Sequence, residues 1–271
     1  MTHEDILQRA SAALNARRPQ DAEQILREVL RTDPRHARAL FILGAAQLTL
    51  GRADEAIATL EQAVRIKHDA EIDTMLAIAL RNAGRDDEAL SRLKRATKRH
   101  PPYAGAFLEF GNLLTALNRY DEAVEVLQRG LAVAPMMPQL SIQLGQTLLQ
   151  RRDCINAQAA FARALSIAPD SLDALLGLAK AHQERGDCQP AAGYFRRGLM
   201  ITPDDPGILL NLGHCLLELG QIDAGYDCFR IAARGEHKRY GDALASLVKA
   251  GRGRFWLKPS AAQQFLRPAK S

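Results

Sequence analysis

The residues of this chain with chemistry beyond packing are four cysteines, seven histidines and a row of amides. Cys154, Cys188, Cys215 and Cys228 form no C-x-x-C pair and have no histidine-rich partner motif, so a thiolate metal site lacks its usual scaffold. Small, buried, reduced thiols in a cytoplasmic setting account for all four, with a redox pair as a remote alternative. His182 and His214 stand 32 residues apart. A metal ion would need further ligands in a fixed geometry, and the local sequence offers none, so partnered or solvent-facing imidazoles are expected. No Ser-His-Asp, Cys-His or paired-carboxylate signature and no phosphate-binding loop is present. The expectation is a chain that is not an enzyme and holds no cofactor and no metal.

The amides have a different chemistry. Gln139, Gln143, Gln146 and Gln150 are spaced 4, 3 and 4 apart, which puts them on one face of one helix. An amide both donates and accepts, so this face could pair with the backbone of an extended peptide. The same residues could equally be solvated polar side chains on an open surface, and the sequence leaves both readings open. A basic run, SRLKRATKRH, invites a nucleic-acid reading. Within it Leu93 and Ala96 sit at packing positions, the charges fall on the outer face of a helix, and no aromatic stacking platform interleaves. A solvated face is expected, without nucleic-acid binding.

What would position these residues is written in a repeat. Pro34, His68, Pro101, Pro135, Pro169, Pro203 and His237 are separated by steps of 34, 33, 34, 34, 34 and 34 residues. Small residues keep the same step at Ala22, Ala56, Ala89, Ala123, Ala157, Ala191 and Gly225, and again at Ala10, Gly44, Ala77, Gly111, Gly145, Ala179 and Gly213. A large apolar ladder follows at Leu26, Leu60, Leu93, Leu127, Phe161, Phe195 and Phe229, and turn residues at Gly51, Gly84, Asn118, Gly186 and Gly220. Within one unit, apolar residues recur at helical spacing on both sides of the turn, as in Leu40, Leu43, Leu48 and then Ile57, Leu60, Val64. Each unit therefore reads as two amphipathic helices, with small residues where the pair cross and the Leu/Phe column filling the space between hairpins. Glycine at the turn supplies a left-handed backbone, and proline ends the second helix. Acidic residues at the start of second helices, as in Asp54-Glu55, Asp86-Asp87-Glu88 and Asp121-Glu122, are expected to favour the helix dipole and cap free amides.

Segments such as FILGAAQLTLGRADEAIATLEQAV and LEFGNLLTALNRYDEAVEVLQRGLAVAP resemble the tetratricopeptide repeat family. The resemblance implies an all-α fold, a right-handed α-solenoid superhelix of seven helical hairpins with a C-terminal capping helix. Residues 1–239 would form the solenoid, in repeats of about 3–36, 37–69, 70–103, 104–137, 138–171, 172–205 and 206–239, and residues 240–271 a capping helix and aromatic tail. Arg9 stands where later units have leucine or phenylalanine, which suits a first helix without a preceding neighbour. One residue is missing between His68 and Leu76, so that connection should be tighter.

The resemblance also implies a concave groove lined by first helices. Its non-packing positions are Arg81, Asn82, Asn112, Gln143, Gln146, Gln150, Lys180, Gln183, Asn211 and His214, with a more apolar N-terminal part at Phe41, Ala45, Leu48 and Ile78. Members of the family that hold a chaperone C-terminal carboxylate use lysine and asparagine there. Here Asn112 fits, but Leu108, Asp173 and Gly177 replace the rest, so that clamp is absent. The tail holds Phe255, Trp256 and Phe265 and either folds back on the last hairpin or docks to a partner.

Composition agrees with this reading. Aromatics are 5% of the residues, the net charge is a mild +5 with both signs interspersed, and no apolar run is long enough to span a membrane. The N-terminus has no apolar signal region, which predicts a cytoplasmic protein. Arginine outnumbers lysine 28 to 8, which reads as the composition of a GC-rich bacterial genome. The expected function is a non-enzymatic scaffold or adaptor that binds a peptide or protein in its groove. The alternatives are an accessory or targeting module for a separate enzyme, such as a sulfotransferase or glycosyltransferase, and a homo-oligomer.

Overall fold

A computed structural model describes residues 2–233, together with 242, 243 and 245. The capping helix and aromatic tail expected over 240–271, including Phe255, Trp256 and Phe265, lie outside the described residues apart from those three positions. Among the described residues there are fourteen α-helices and no strand, and consecutive helices pair as seven antiparallel hairpins. The chain divides into two compact units. Unit 1 (residues 1–135) holds α1 (His3–Asn15), α2 (Pro19–Thr32), α3 (Ala37–Thr49), α4 (Ala53–Ile66), α5 (Ala70–Asn82), α6 (Asp86–Ala96), α7 (Ala104–Ala116) and α8 (Tyr120–Val133). Unit 2 (from residue 136) holds α9 (Pro138–Gln150), α10 (Cys154–Ile167), α11 (Leu172–Glu184), α12 (Cys188–Ile201), α13 (Pro206–Glu218) and α14 (Ile222–Ala232). In unit 1 the first helices α1, α3, α5 and α7 pack side by side in order, and in unit 2 α9 packs beside α11.

The small and large ladders are two sides of one contact. A Cβ placed on Gly44 would lie 2.5 Å from Leu60 Cγ, and one on Gly111 would lie 2.5 Å from Leu127 Cγ, each within its own hairpin. The large residue therefore fills the crossing itself, where the sequence suggested it filled the gap between hairpins. Phe161 serves both places. Its ring lies 2.8 Å from a Cβ on Gly145 of its own hairpin and 2.3 Å from one on Gly177 of the next. Both columns are sealed, with Ala22 and Ala56 of the small ladder and Leu26, Leu60, Leu127 and Phe161 of the large one at 0% exposure, each large side chain being worth about 1.5–3 kcal/mol.

The turns follow the sequence with two additions. Gly51, Gly84, Gly186 and Gly220 have φ between 74° and 82°, and Asn118 has φ 59°. Arg17 and Arg152 fill the same place in the first and fifth hairpins at φ 57° and 65°, where a side chain costs roughly 1–2 kcal/mol. The missing residue is located as well: the α4–α5 connection is residues 67–69, one shorter than 33–36 or 168–171. The next irregularity had no sequence signal. Helix α6 has 11 residues where α4 and α8 have 14, and residues 97–103 make a longer connection to α7.

The acidic residues that open the second helices do not cap amides as expected. The N-cap residues are Arg52, Arg85 and Arg119, without side-chain cap bonds. Each guanidinium instead grips the glutamate three residues on: Arg52–Glu55 at 3.0 Å, Arg85–Glu88 at 2.7 Å and Arg119–Glu122 at 2.7 Å. The carboxylates still sit in the first turn, where the helix dipole favours them. Asp153 alone among these second-helix N-caps accepts a backbone N–H, from Asn156 at 3.3 Å.

Candidate functional site: the first-helix face of each unit

In unit 1 the expected groove residues are largely engaged with one another. Arg81 on α5 forms an ion pair with Glu109 on α7 at 3.1 Å, and Asn112 donates to the other Glu109 oxygen at 3.4 Å. Two residues expected to read a ligand thus converge on a glutamate the sequence reading had passed over. Arg38 on α3 pairs with Glu71 on α5 at 3.1 Å, and its guanidinium lies 4.9 Å over the Phe41 ring. The apolar stretch expected here is therefore reduced: Phe41 is buried, Ala45, Leu48 and Ile78 are half-buried, and alternating charges bridge the helices. Asn82 is exposed at the end of α5.

Unit 2 presents the more open arrangement. Between α9 and α11 lies a cleft of about 410 Å³ with Gln146, Gln150 and Lys180 on its walls. Asp173, Glu184 and Arg152 share the lining, so the cleft offers both charge signs beside amides. Phe161, Leu176 and Gly177 also line it. Gly177 cannot be larger because the Phe161 ring already occupies the place of its Cβ. Gln146, Gln150 and Lys180 are exposed, and Lys180 enters no ion pair among the described residues. Gln143, the fourth amide of the α9 face with Gln139, is half-buried and does not line this cleft. Gln183 borders a separate cleft of about 620 Å³ with Asp187, Cys188 and Glu218. Asn211 is exposed but donates to the Gly207 carbonyl of its own helix at 2.8 Å.

The histidines and cysteines are held by packing. His214 sits edge-on to Phe229 with centroids 5.2 Å apart, and burial pushes its pKa below the ordinary imidazole value, opposed by Glu218. The ring is therefore neutral near pH 7 and spends one edge on the core instead of on a groove ligand. His182 stacks on Tyr194 at 5.8 Å and its Nδ1 lies 3.1 Å from the Gln158 amide. Burial, with the neighbouring Cys188 thiol, pushes Cys215 up to about 12, and burial raises Cys228 as well. Burial and Glu184, whose carboxylate accepts the S–H at 3.6 Å, raise Cys154. These are protonated, weakly nucleophilic thiols.

The basic run is more than a solvated face. Asp73 on α5 has a side chain with 0% exposure, and Arg92, Arg95 and Arg99 close on it at 3.5, 3.2 and 2.7 Å. Arg99 stands in the connection after the shortened α6 and also donates to the His68 carbonyl at 3.4 Å. Three guanidinium groups of that run thus neutralise a buried carboxylate. The sequence alone puts these charges outward because Asp73 lies 19 residues or more upstream of them and occupies a mostly apolar column, with Leu40, Phe107, Leu175 and Leu209 beside the one other polar member, Ser141.

No helix of the described residues is long and apolar enough to cross a membrane. Two sequence profiles described as tetratricopeptide repeat match the chain, one over residues 7–71 and 142–207 and the other over 80–142. No curated protein sequence matches it. Among solved structures, the chain is similar to PilW, described as a widely conserved type IV pilus biogenesis factor, at 22% identity and a TM-score of 0.66, covering 74% of this chain and 93% of that one. It is similar to Pseudomonas aeruginosa PilF at 20% identity and a TM-score of 0.66, covering 77% and 96%. A thermophilic repeat protein of Thermus thermophilus matches at 24% identity and a TM-score of 0.54, covering 67% and 99%. At such identities the likenesses speak for the fold. With the 34-residue ladder, the seven hairpins and both profiles in agreement, this chain belongs to the tetratricopeptide repeat family, whose members generally mediate protein–protein interaction and are typically non-catalytic.

Proposed function

We propose that this protein is a peptide- or protein-binding scaffold and that the α9–α11 cleft of unit 2 is its principal contact surface. The observation that carries this reading is the convergence of exposed Gln146, Gln150 and Lys180 on one cleft, with Lys180 uncommitted to an ion pair among the described residues. Amides one helical turn apart can pair with alternate backbone groups of an extended segment, and an unpaired ammonium selects a carboxylate near them. A rigid helical face grips such a segment at little ordering cost to itself. The first-helix face of unit 1 supports the reading less, because Arg81 and Asn112 are already held by Glu109.

Selection of displayed random peptides on the intact protein, followed by calorimetry, tests this. Enriched sequences are expected to carry an acidic residue and to lose at least about tenfold in affinity when Gln146, Gln150 and Lys180 are changed together to alanine. Unchanged affinity in that variant would overturn the assignment of the surface.

A further inference from the structure

Where the first two hairpins of unit 1 meet, His3 comes against Asp33 and His36, which flank the α2–α3 connection. One ligand atom each from His3, Asp33 and His36 lies within 4.8 Å of the other two. The imidazole rings are 5.7 Å apart at 70°, so their edges converge without stacking. We infer that His3, Asp33 and His36 form a binding site for a divalent transition-metal cation of the zinc type, two imidazoles and a carboxylate with water completing the shell.

Backbone geometry fixes each ligand. His3 opens α1, whose start is held by a reciprocal cap: Thr2 Oγ1 accepts the Asp5 N–H at 3.2 Å and Asp5 accepts the Thr2 N–H at 2.9 Å. Asp33 ends α2, accepts the Arg35 N–H at 3.1 Å through its carboxylate, and its carbonyl receives the His36 N–H at 3.2 Å. His36 is the N-cap of α3. The repeat itself does not ask for these residues. The first position of the other first helices is Ala37, Ala70, Ala104, Pro138, Leu172 or Pro206, and the residue ending the other second helices is Lys67, Thr97, Ala134, Ala168, Thr202 or Ala233. The histidine–aspartate–histidine combination occurs at this joint alone among the described residues.

The hydrogen bonds define which lone pairs are free. Thr32 Oγ1 gives its proton to the Val29 carbonyl at 2.9 Å, so the His3 Nε2 contact at 3.3 Å is a donation from His3, which leaves the Nδ1 lone pair free. This is the arrangement in which a metal-bound imidazole is oriented by a hydrogen bond from its other nitrogen. His36 Nδ1 accepts the Ala39 N–H at 3.3 Å, so its proton sits on Nε2. A cation on Nδ1 displaces the Ala39 contact, and a cation on Nε2 moves the ring proton to Nδ1, which can then no longer accept that N–H. Metal uptake therefore trades against one cap hydrogen bond. Tetrahedral zinc with ligands at about 2.0–2.1 Å requires ligand atoms roughly 3.4 Å apart, so the group closes by up to about 1.4 Å on binding. The exposed His3 side chain, at the first residue of its helix, can supply that movement. The bound ion would tie α1 to the α2–α3 connection and fasten the first hairpin to the second.

The test is titration of the intact protein with zinc chloride by calorimetry, with thermal melts in zinc and in EDTA and absorption spectra with cobalt(II). The expected result is one site per chain, a melting temperature raised by zinc and restored by EDTA, and a cobalt spectrum without thiolate charge-transfer bands. His3→Ala and His36→Asn should each weaken zinc binding at least about tenfold. Asparagine is itself a good N-cap, so the second variant keeps α3 capped and separates ligation from folding. Absence of a zinc-dependent heat, parental affinity in both variants, or thiolate bands that move the ion to Cys154, Cys188, Cys215 or Cys228 would each overturn the site.

Discussion

At the scale of single residues, the decisive quantity is how much space each crossing leaves. Gly44→Ala places a methyl 2.5 Å from Leu60 Cγ, so despite the higher helix propensity of alanine it should destabilise by about 1–3 kcal/mol. Gly193 on α12 has nothing within 4 Å of a Cβ, and Gly193→Ala should stabilise by about 0.5–1 kcal/mol. Urea titration of the two variants separates steric fit from propensity, and equal effects would refute the packing account. Asp73 sets a second contrast. Asp73→Asn loses the three ion pairs and buries an amide whose N–H groups face guanidinium groups, so it should cost about 2–4 kcal/mol in urea titration, whereas Asp73→Leu loses the same pairs but buries the residue found at Leu40, Leu175 and Leu209 and should cost less. His214 brings a pH dependence. Its folded-state pKa lies below that of the unfolded chain, so as pH falls the unfolded state takes up the proton first. Its share of stability is complete above an ordinary pKa of about 6.5 and declines below it until the folded ring also protonates. Melting curves from about pH 8 to about pH 5 should therefore slope less in His214→Leu than in the parent.

At the scale of helices, the turn conformation matters more than the turn residue. Gly51, Gly84, Gly186 and Gly220 adopt the left-handed backbone without penalty, while Arg17 and Arg152 adopt it with a side chain in place. Arg17→Gly should raise stability by up to about 1 kcal/mol, read as a higher urea midpoint at unchanged slope. Arg152 also lines the α9–α11 cleft, so the same change there would mix stability with binding. The start of the second helices shows a related economy: a guanidinium at the N-cap and a glutamate three residues on form a clamp of one turn. Exposed pairs of this kind contribute little each, roughly 0.2–1 kcal/mol, and serve mainly to fix where the helix begins.

For the whole molecule, stability is organised by neighbours. Within each unit a hairpin is sealed by a small and a large residue of its own and by contact with the hairpins beside it, so a local defect should remain local. Hydrogen exchange on Gly44→Ala is expected to show lost protection in α1–α6 with little change in α11–α14. Uniform loss across both units would mean that the chain unfolds as one cooperative body. Function follows the same logic. In the proposed function the packing faces of the first helices are fixed by the repeat, and their outward residues, such as Gln146 and Lys180 beside the α9–α11 cleft, are the ones proposed to carry recognition.

The sequence by itself determined the repeat, the hairpin and the position of almost every core residue, because a solenoid is built from contacts between neighbours in sequence. A period near 34 residues with matched small and large ladders leaves one way to bury them. The single deletion was legible for the same reason, down to its connection. Only the tertiary structure decided which outward residues remain available. Arg81 and Asn112 read as groove ligands until the fold brings Arg81, from the preceding hairpin, onto Glu109 beside Asn112. The basic run reads as solvated until Asp73 arrives from α5. His3, Asp33 and His36 read as unrelated until three helix ends meet. Packing columns repeat and announce themselves. The polar partnerships that cross between these helices form once each and have no period by which a sequence could reveal them.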